Sequence, residues 1–291
     1  MNAHTGIALA FVAMLCWGFG DFWIQKSTRK IGDIEALFFI TLFGAVALLP
    51  FAYKNVWAVL SGSWHTLLVL GILCVVLLLA AILDFEALRV GKLSVVEPIW
   101  SFEVPGAALL AFFILGERIT LLQGLLIVAL LTGIVMVSLR EKVNFNKLIL
   151  ERGTVVALLG AVFMGFANFF MGWGARLSDP VTANFLSDVF IAVVTGCILF
   201  FTGRFKKTVS DIISNKKVLL QMSISDKAAW LAFAFAMSLA PIAVATALSE
   251  SYIIVAVILG LAVNKEKIHF HQKIGLTVAV ISVITLAAIT G

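Results

Sequence analysis

Eight acidic side chains stand inside apolar stretches of this chain: Asp21, Asp84, Glu86, Glu97, Glu103, Asp188, Asp226 and Glu250, against one clearly embedded base, Lys227. An ionisable group at bilayer depth costs at least about 2.5–3.5 kcal/mol on insertion scales, so such groups face a bundle interior and mark solute or proton routes. Carboxyl groups in that setting bind and release protons, and they attract positively charged solutes. Helical spacing decides which of them share a face. Trp17, Asp21 and Gln25 form one stripe; Glu97, Trp100 and Ser101 form another, with Glu103 about 120° away from Glu97. Asn184 lines up with Asp188, Thr246 and Ser249 with Glu250, and Ser223, Asp226, Lys227 and Trp230 make a polar patch. Asp84 and Glu86 point about 200° apart, so one of them must leave a common cavity and pair with Arg89 or sit among headgroups.

Each of these residues also has a plainer reading. Asp84 and Glu86 lie near a helix end and suit an interfacial role. Lys227 is most simply the partner of a carboxylate, with a substrate carboxylate as its alternative. Trp17, Trp100 and Trp230 suit stacking on a planar or cationic solute, whereas Trp173 near a helix end reads as an interfacial anchor. His269 and His271 lack further ligands at helical spacing and read as solvated loop residues, so no metal is expected. Neither a nucleophile with its base nor a phosphate-binding loop appears. The chain therefore reads as a non-enzyme without cofactor, working on gradients or exchange.

The elements that position these groups follow from composition. With 62% hydrophobic and 13% charged residues, the chain is far from a soluble domain, where about a quarter of residues are charged. It reads as an all-α membrane protein. Runs long enough for a helix to cross the bilayer fall near 7–25, 34–52, 66–88, 92–115, 121–139, 153–174, 181–202, 218–239, 241–263 and 273–290. The three cysteines, Cys16, Cys74 and Cys197, lie within such runs and read as packing residues.

The stretch Cys16 to Trp23 recurs as Phe163 to Phe170, with Gly18 matching Gly165 and Asp21 matching the neutral Asn168. Further on, the Glu117 turn matches the Glu266 turn, and Gln123 matches Gln272. Five helices per copy is an odd number, so the second copy enters from the opposite face. This inverted-topology repeat is common in secondary transporters, with the substrate site at the midplane between repeats. The organisation is a five-helix repeat over 1–140, a basic linker over 141–152 and a second repeat over 153–291.

The Trp17-Gly18 and Asp21 neighbourhood, Ala87-Leu88, Pro98, and the Gly116-Glu117-Arg118 turn followed by Gln123 and Gly124 resemble the drug/metabolite transporter superfamily, in its ten-helix EamA-type branch. That resemblance covers the whole chain. It implies a metabolite carrier with a central cavity between the halves, in a family whose members carry amino acids, nucleotide sugars, nucleobases or drugs. The chain departs from the pattern in having Ala247 where Pro98 would recur, Lys265 opposite Gly116, and many intramembrane acids.

Seventeen of the Lys and Arg residues fall on the side of the odd-numbered loops, against Lys54, Arg118 and Arg176 on the other. The positive-inside rule then places both termini outside, whereas the resemblance implies termini inside. The expected protein is a multi-pass plasma-membrane carrier, monomeric or homodimeric. Its partners are a small-molecule substrate, membrane lipid and protons, with no nucleic acid. Its pathway residues are Trp17, Asp21, Glu97, Trp100, Glu103, Asn168, Asp188, Asp226, Lys227, Trp230 and Glu250. Lys227 beside Asp226 favours a zwitterionic amino acid, the overall acidity favours an amine-type cation, and the sequence does not rank them.

Overall fold

A computed structural model of the protein describes residues 3–91, 96, 99–138, 153–255 and 269–291. Glu97, Pro98, the linker over 141–152 and Glu266 lie outside the described residues. The described residues include ten helices with bounds as follows, further helical residues at 96, 99–100 and 252–255, and no strand. The first repeat holds α1 (Ala3–Ile31), α2 (Asp33–Leu60), α3 (Trp64–Val90), α4 (Glu103–Leu115) and α5 (Leu121–Ser138). The second holds α6 (Thr154–Leu177), α7 (Pro180–Phe201), α8 (Phe205–Leu239), α9 (Ile242–Ser249) and α10 (Phe270–Thr290).

Packing follows a two-fold pattern. The first helix of each repeat lies against the third helix of the other, α1 on α8 and α3 on α6, while α2 packs on α7 and α5 on α10. The α5/α10 crossing is close because glycines meet there: a Cβ on Gly133 would lie 2.7 Å from the Gly275 carbonyl oxygen. Small residues at such crossings let membrane helices gain dispersion contacts where no hydrophobic force separates them from lipid. Large apolar side chains such as Phe51, Phe113, Leu121 and Phe201 are exposed on the outside, as a lipid-facing wall requires.

The matched glutamines do matched work. Gln123 Oε1 accepts from Thr120 N at 2.8 Å while its Nε2 donates to Thr290 Oγ1 at the end of α10. Gln272 Oε1 accepts from His269 N at 2.9 Å, and its Nε2 donates to Val137 O near the end of α5. Each one caps its own helix start and ties it to the far end of the equivalent helix in the other repeat. His269, read from sequence as a loop residue, is the N-cap of α10.

Seven helices are long and apolar enough to span a membrane by length and composition; α4, α8 and α9 are the others. The reason differs between them. The run expected over 92–115 is interrupted by a turn at Ser101–Phe102, and the run over 241–263 by a turn at Glu250–Ser251. At the first break Phe102 N bonds back three residues to Ile99 O at 3.1 Å; at the second Ser251 N bonds to Leu248 O at 3.3 Å. These positions correspond by the same spacing that relates Gln123 to Gln272, so the break belongs to the repeat. In α8 the membrane half carries Asp226 and Lys227, and the polar stretch read as a loop over 203–217 is helical up to a kink at Asn215 (φ −113, ψ 16).

Candidate functional site

The two helix breaks meet the first helices of both repeats around one cavity, whose empty space counted out to its mouth is about 860 Å³. Trp17 and Asp21 enter from α1, Asp84 and Phe85 from α3, Trp100 and Glu103 from the first break, and Glu250 and Tyr252 from the second. Asn168 comes from α6, Asp188 from α7, and Asp226, Lys227 and Trp230 from α8. On α2 the lining residues are Leu37, Ile40 and Thr41, close to that helix's start at Asp33, and on α3 they run from Leu77 to Leu88 near its end. Both of those helix ends lie at the face that carries the basic loops, so the cavity leans towards that face.

Glu103 and Glu250 are buried, at 3% and 6% exposure, and are neighbours in the cavity, one from each break. An ionised carboxylate only accepts, so two neighbouring carboxyl groups bond to each other only when one of them carries a proton. Across the cavity Lys227 Nζ donates to Asp188 Oδ1 at 2.7 Å and lies 3.4 Å from Asp226 Oδ2. Its principal partner is thus on a different helix from its sequence neighbour. Asp188 fits because α2 offers Gly44, where a Cβ would overlap the Asp188 carboxyl group and lie 2.6 Å from Lys227 Cδ.

Aromatic rings complete the wall. Trp17 meets Trp230 edge to face at 5.5 Å between centroids and Phe233 at 5.0 Å. Trp100 is 5% exposed, and its Nε1–H has no hydrogen-bond partner. Asp188 Oδ2 is likewise unpartnered.

The opposite face is held by a polar clasp. Arg176, at the end of α6, donates from Nε to Met237 O at 2.8 Å and from Nη2 to Ala240 O and to Glu117 Oε1, both at 2.9 Å. Glu117, in the turn after α4, also accepts from Ile242 N at 2.8 Å and so caps the start of α9. This carboxylate joins the first repeat to the second.

The EamA-like transporter family model matches residues 4–139 and 151–288, one match in each half. The chain belongs to the EamA-like transporter family. This EamA-like protein is therefore a multi-pass membrane transporter of the drug/metabolite superfamily. It is similar to a solved structure described as "Crystal structure of protein", with a TM-score of 0.74 and 14% identity over 99% of this chain and 96% of that one, a likeness of fold. No curated protein matches the chain.

In this EamA-like transporter the cavity gathers Trp17, Asp21, Trp100, Glu103, Asn168, Asp188, Asp226, Lys227, Trp230 and Glu250, all the pathway residues read from the sequence that lie among the described residues. Two lining residues escaped that reading. Asp84 was assigned to the interface, but α3 continues to Val90, which leaves Asp84 more than a turn inside; Glu86 is the one that turns away, to Arg89 Nε at 2.7 Å. Tyr252 carried no signal as an isolated aromatic in an apolar run. Trp173, read as an interfacial anchor, packs on Phe169, Phe170 and His65.

Proposed function

We propose that this protein is a secondary active transporter of small organic metabolites, such as amino acids or amine-type compounds, working in the plasma membrane by alternating access. The observation that carries this reading is the position of the cavity, at two equivalent helix breaks supplied by oppositely inserted repeats. Discontinuous helices place polar groups at bilayer depth where backbone bonds are free to meet a solute. Rocking of one five-helix half against the other exposes the same site to each face in turn. A channel has no need of a clasp such as Glu117 with Arg176 on one face while the cavity leans to the other.

The carboxyl pair Glu103 and Glu250 supplies the coupling step. A proton shared between them leaves when the cavity faces a compartment of low proton activity and returns on the other side, so solute and proton exchange across the membrane. The test is uptake into proteoliposomes of labelled members of a mixed amino acid and amine pool under an imposed pH gradient. A gradient-driven flux that disappears in Glu103→Gln and Glu250→Gln supports the reading; a flux indifferent to the gradient and to both substitutions removes proton coupling.

A further inference from the structure

Of the two solute classes that the sequence left unranked, the arrangement around Lys227 selects one. We infer that the solute carried in the central cavity bears a positively charged nitrogen, seated by Glu103 and Glu250 among the rings of Trp17, Trp100 and Tyr252. The inference rests on the transport reading of this cavity and names its substrate class.

A zwitterionic amino acid needs a free cation for its carboxylate. Lys227 is the single Lys, Arg or His among the described lining residues, and its ammonium lies between Asp188 and Asp226. Recruiting it for a substrate carboxylate would strip a buried aspartate of its counter-charge, which is strongly unfavourable in a membrane interior. Four carboxyl groups with described surroundings line the same space: Glu103, Asp188, Asp226 and Glu250. Even with one proton held between Glu103 and Glu250, acids outnumber the lysine, and an entering cation supplies what is missing. Trp and Tyr faces stabilise a desolvated cation further.

A second observation refines the class. The buried Trp100 Nε1–H has no partner, and a buried donor without an acceptor is costly. A hydroxyl or carbonyl oxygen on the solute satisfies it without bringing a negative charge. The expected ligand is an ammonium compound with a neutral oxygen acceptor.

Two shape-matched probe sets that differ in charge test this on the purified full-length protein by calorimetry and thermal melting. One is choline, its uncharged carbon isostere and glycine betaine; the other is phenethylamine, phenethyl alcohol and phenylalanine. The cation of at least one set is expected to bind at least about tenfold tighter than its neutral and zwitterionic partners. That preference should fall to within about twofold in the Glu103→Gln, Glu250→Gln double variant. Trp100→Phe, which keeps a ring, should weaken choline by about fivefold and leave tetramethylammonium unchanged. If in neither set the cation binds tighter than its partners, or if its preference survives in the double variant, the inference is overturned. Should the double variant not fold, Trp100→Phe decides: equal loss for choline and tetramethylammonium, or none for either, overturns it. A zwitterion that binds best and exchanges across vesicles would sink the charge assignment and keep the transporter. Cations that bind in the stated order with no solute exchange would sink the transport reading alone.

Discussion

Arg29 and Arg176 make the same bond on opposite faces of the membrane. Arg29 Nη2 donates to Gly91 O at 2.7 Å and Arg176 Nη2 to Ala240 O at 2.9 Å. Arg29 relates to Arg176 by the spacing of Gly18 to Gly165, and Gly91 to Ala240 by that of Gln123 to Gln272. Each arginine satisfies carbonyls left open at the C-terminus of a third helix and places a cation at the negative end of its dipole. The two repeats thus carry a common clamp between their first and third helices.

Arg176 also holds Glu117 of the other repeat; the matching Glu266 lies outside the described residues. Arg29→Gln should lower stability by about 1 kcal/mol, the scale of a lost cap. Arg176→Gln should lower it as well, and a double-mutant cycle with Glu117→Gln should show a coupling of about 0.5–1 kcal/mol, modest because Arg176 is partly exposed. Melting in detergent measures both.

Gly44 sets the geometry of the Asp188–Lys227 pair. Gly44→Ala should displace the Asp188 carboxyl group, cost about 1–3 kcal/mol through overpacking, and reduce transport. Gly71→Ala on α3, where a Cβ meets nothing within 4 Å, is the control and should be neutral or stabilising. Equal melting temperatures for the two variants would contradict the close approach.

The buried pair itself predicts strong non-additivity. Asp188→Asn or Lys227→Met alone should each destabilise by about 3–5 kcal/mol because a buried charge loses its principal partner. Combining them should recover part of that loss. Additive losses in the double variant would mean that the two groups do not depend on each other.

These relations also mark what the sequence disclosed. Periodicity, length and the matched glutamines disclosed the inverted repeat, because a span of apolar residues and a capping side chain are local signals. The cavity residues were legible because an acid within an apolar run is conspicuous. The breaks at Ser101–Phe102 and Glu250–Ser251 were not, since each lies within a run long enough to span; the local signals were Pro105 in the first turn of α4 and the polar triplet Ser249-Glu250-Ser251. Asp188 as the partner of Lys227 was hidden by the adjacent Asp226, and only the packing of α7 against α8 reveals it. Arg29 and Arg176 registered as loop charges, because backbone carbonyls at a helix end leave no trace in composition.

Orientation has its own test. The seventeen basic residues of one face predict that face to be cytoplasmic and both termini outside. Alkaline phosphatase fused after Gly291 should be active outside the cell; an inactive fusion, with a fluorescent one that glows, would reverse the assignment and place the cavity's nearer face outside.

The central claim is that one cavity, closed by Glu103 and Glu250 and reached alternately from each face, moves the solute. Counterflow in proteoliposomes tests it most directly: vesicles loaded with an unlabelled solute that binds the purified protein are diluted into a trace of the labelled one without any ion gradient. Transient, saturable accumulation of label that is lost in the Glu103→Gln, Glu250→Gln double variant is the predicted result. Label that only equilibrates, with flux linear in concentration or unchanged by the double substitution, would contradict it.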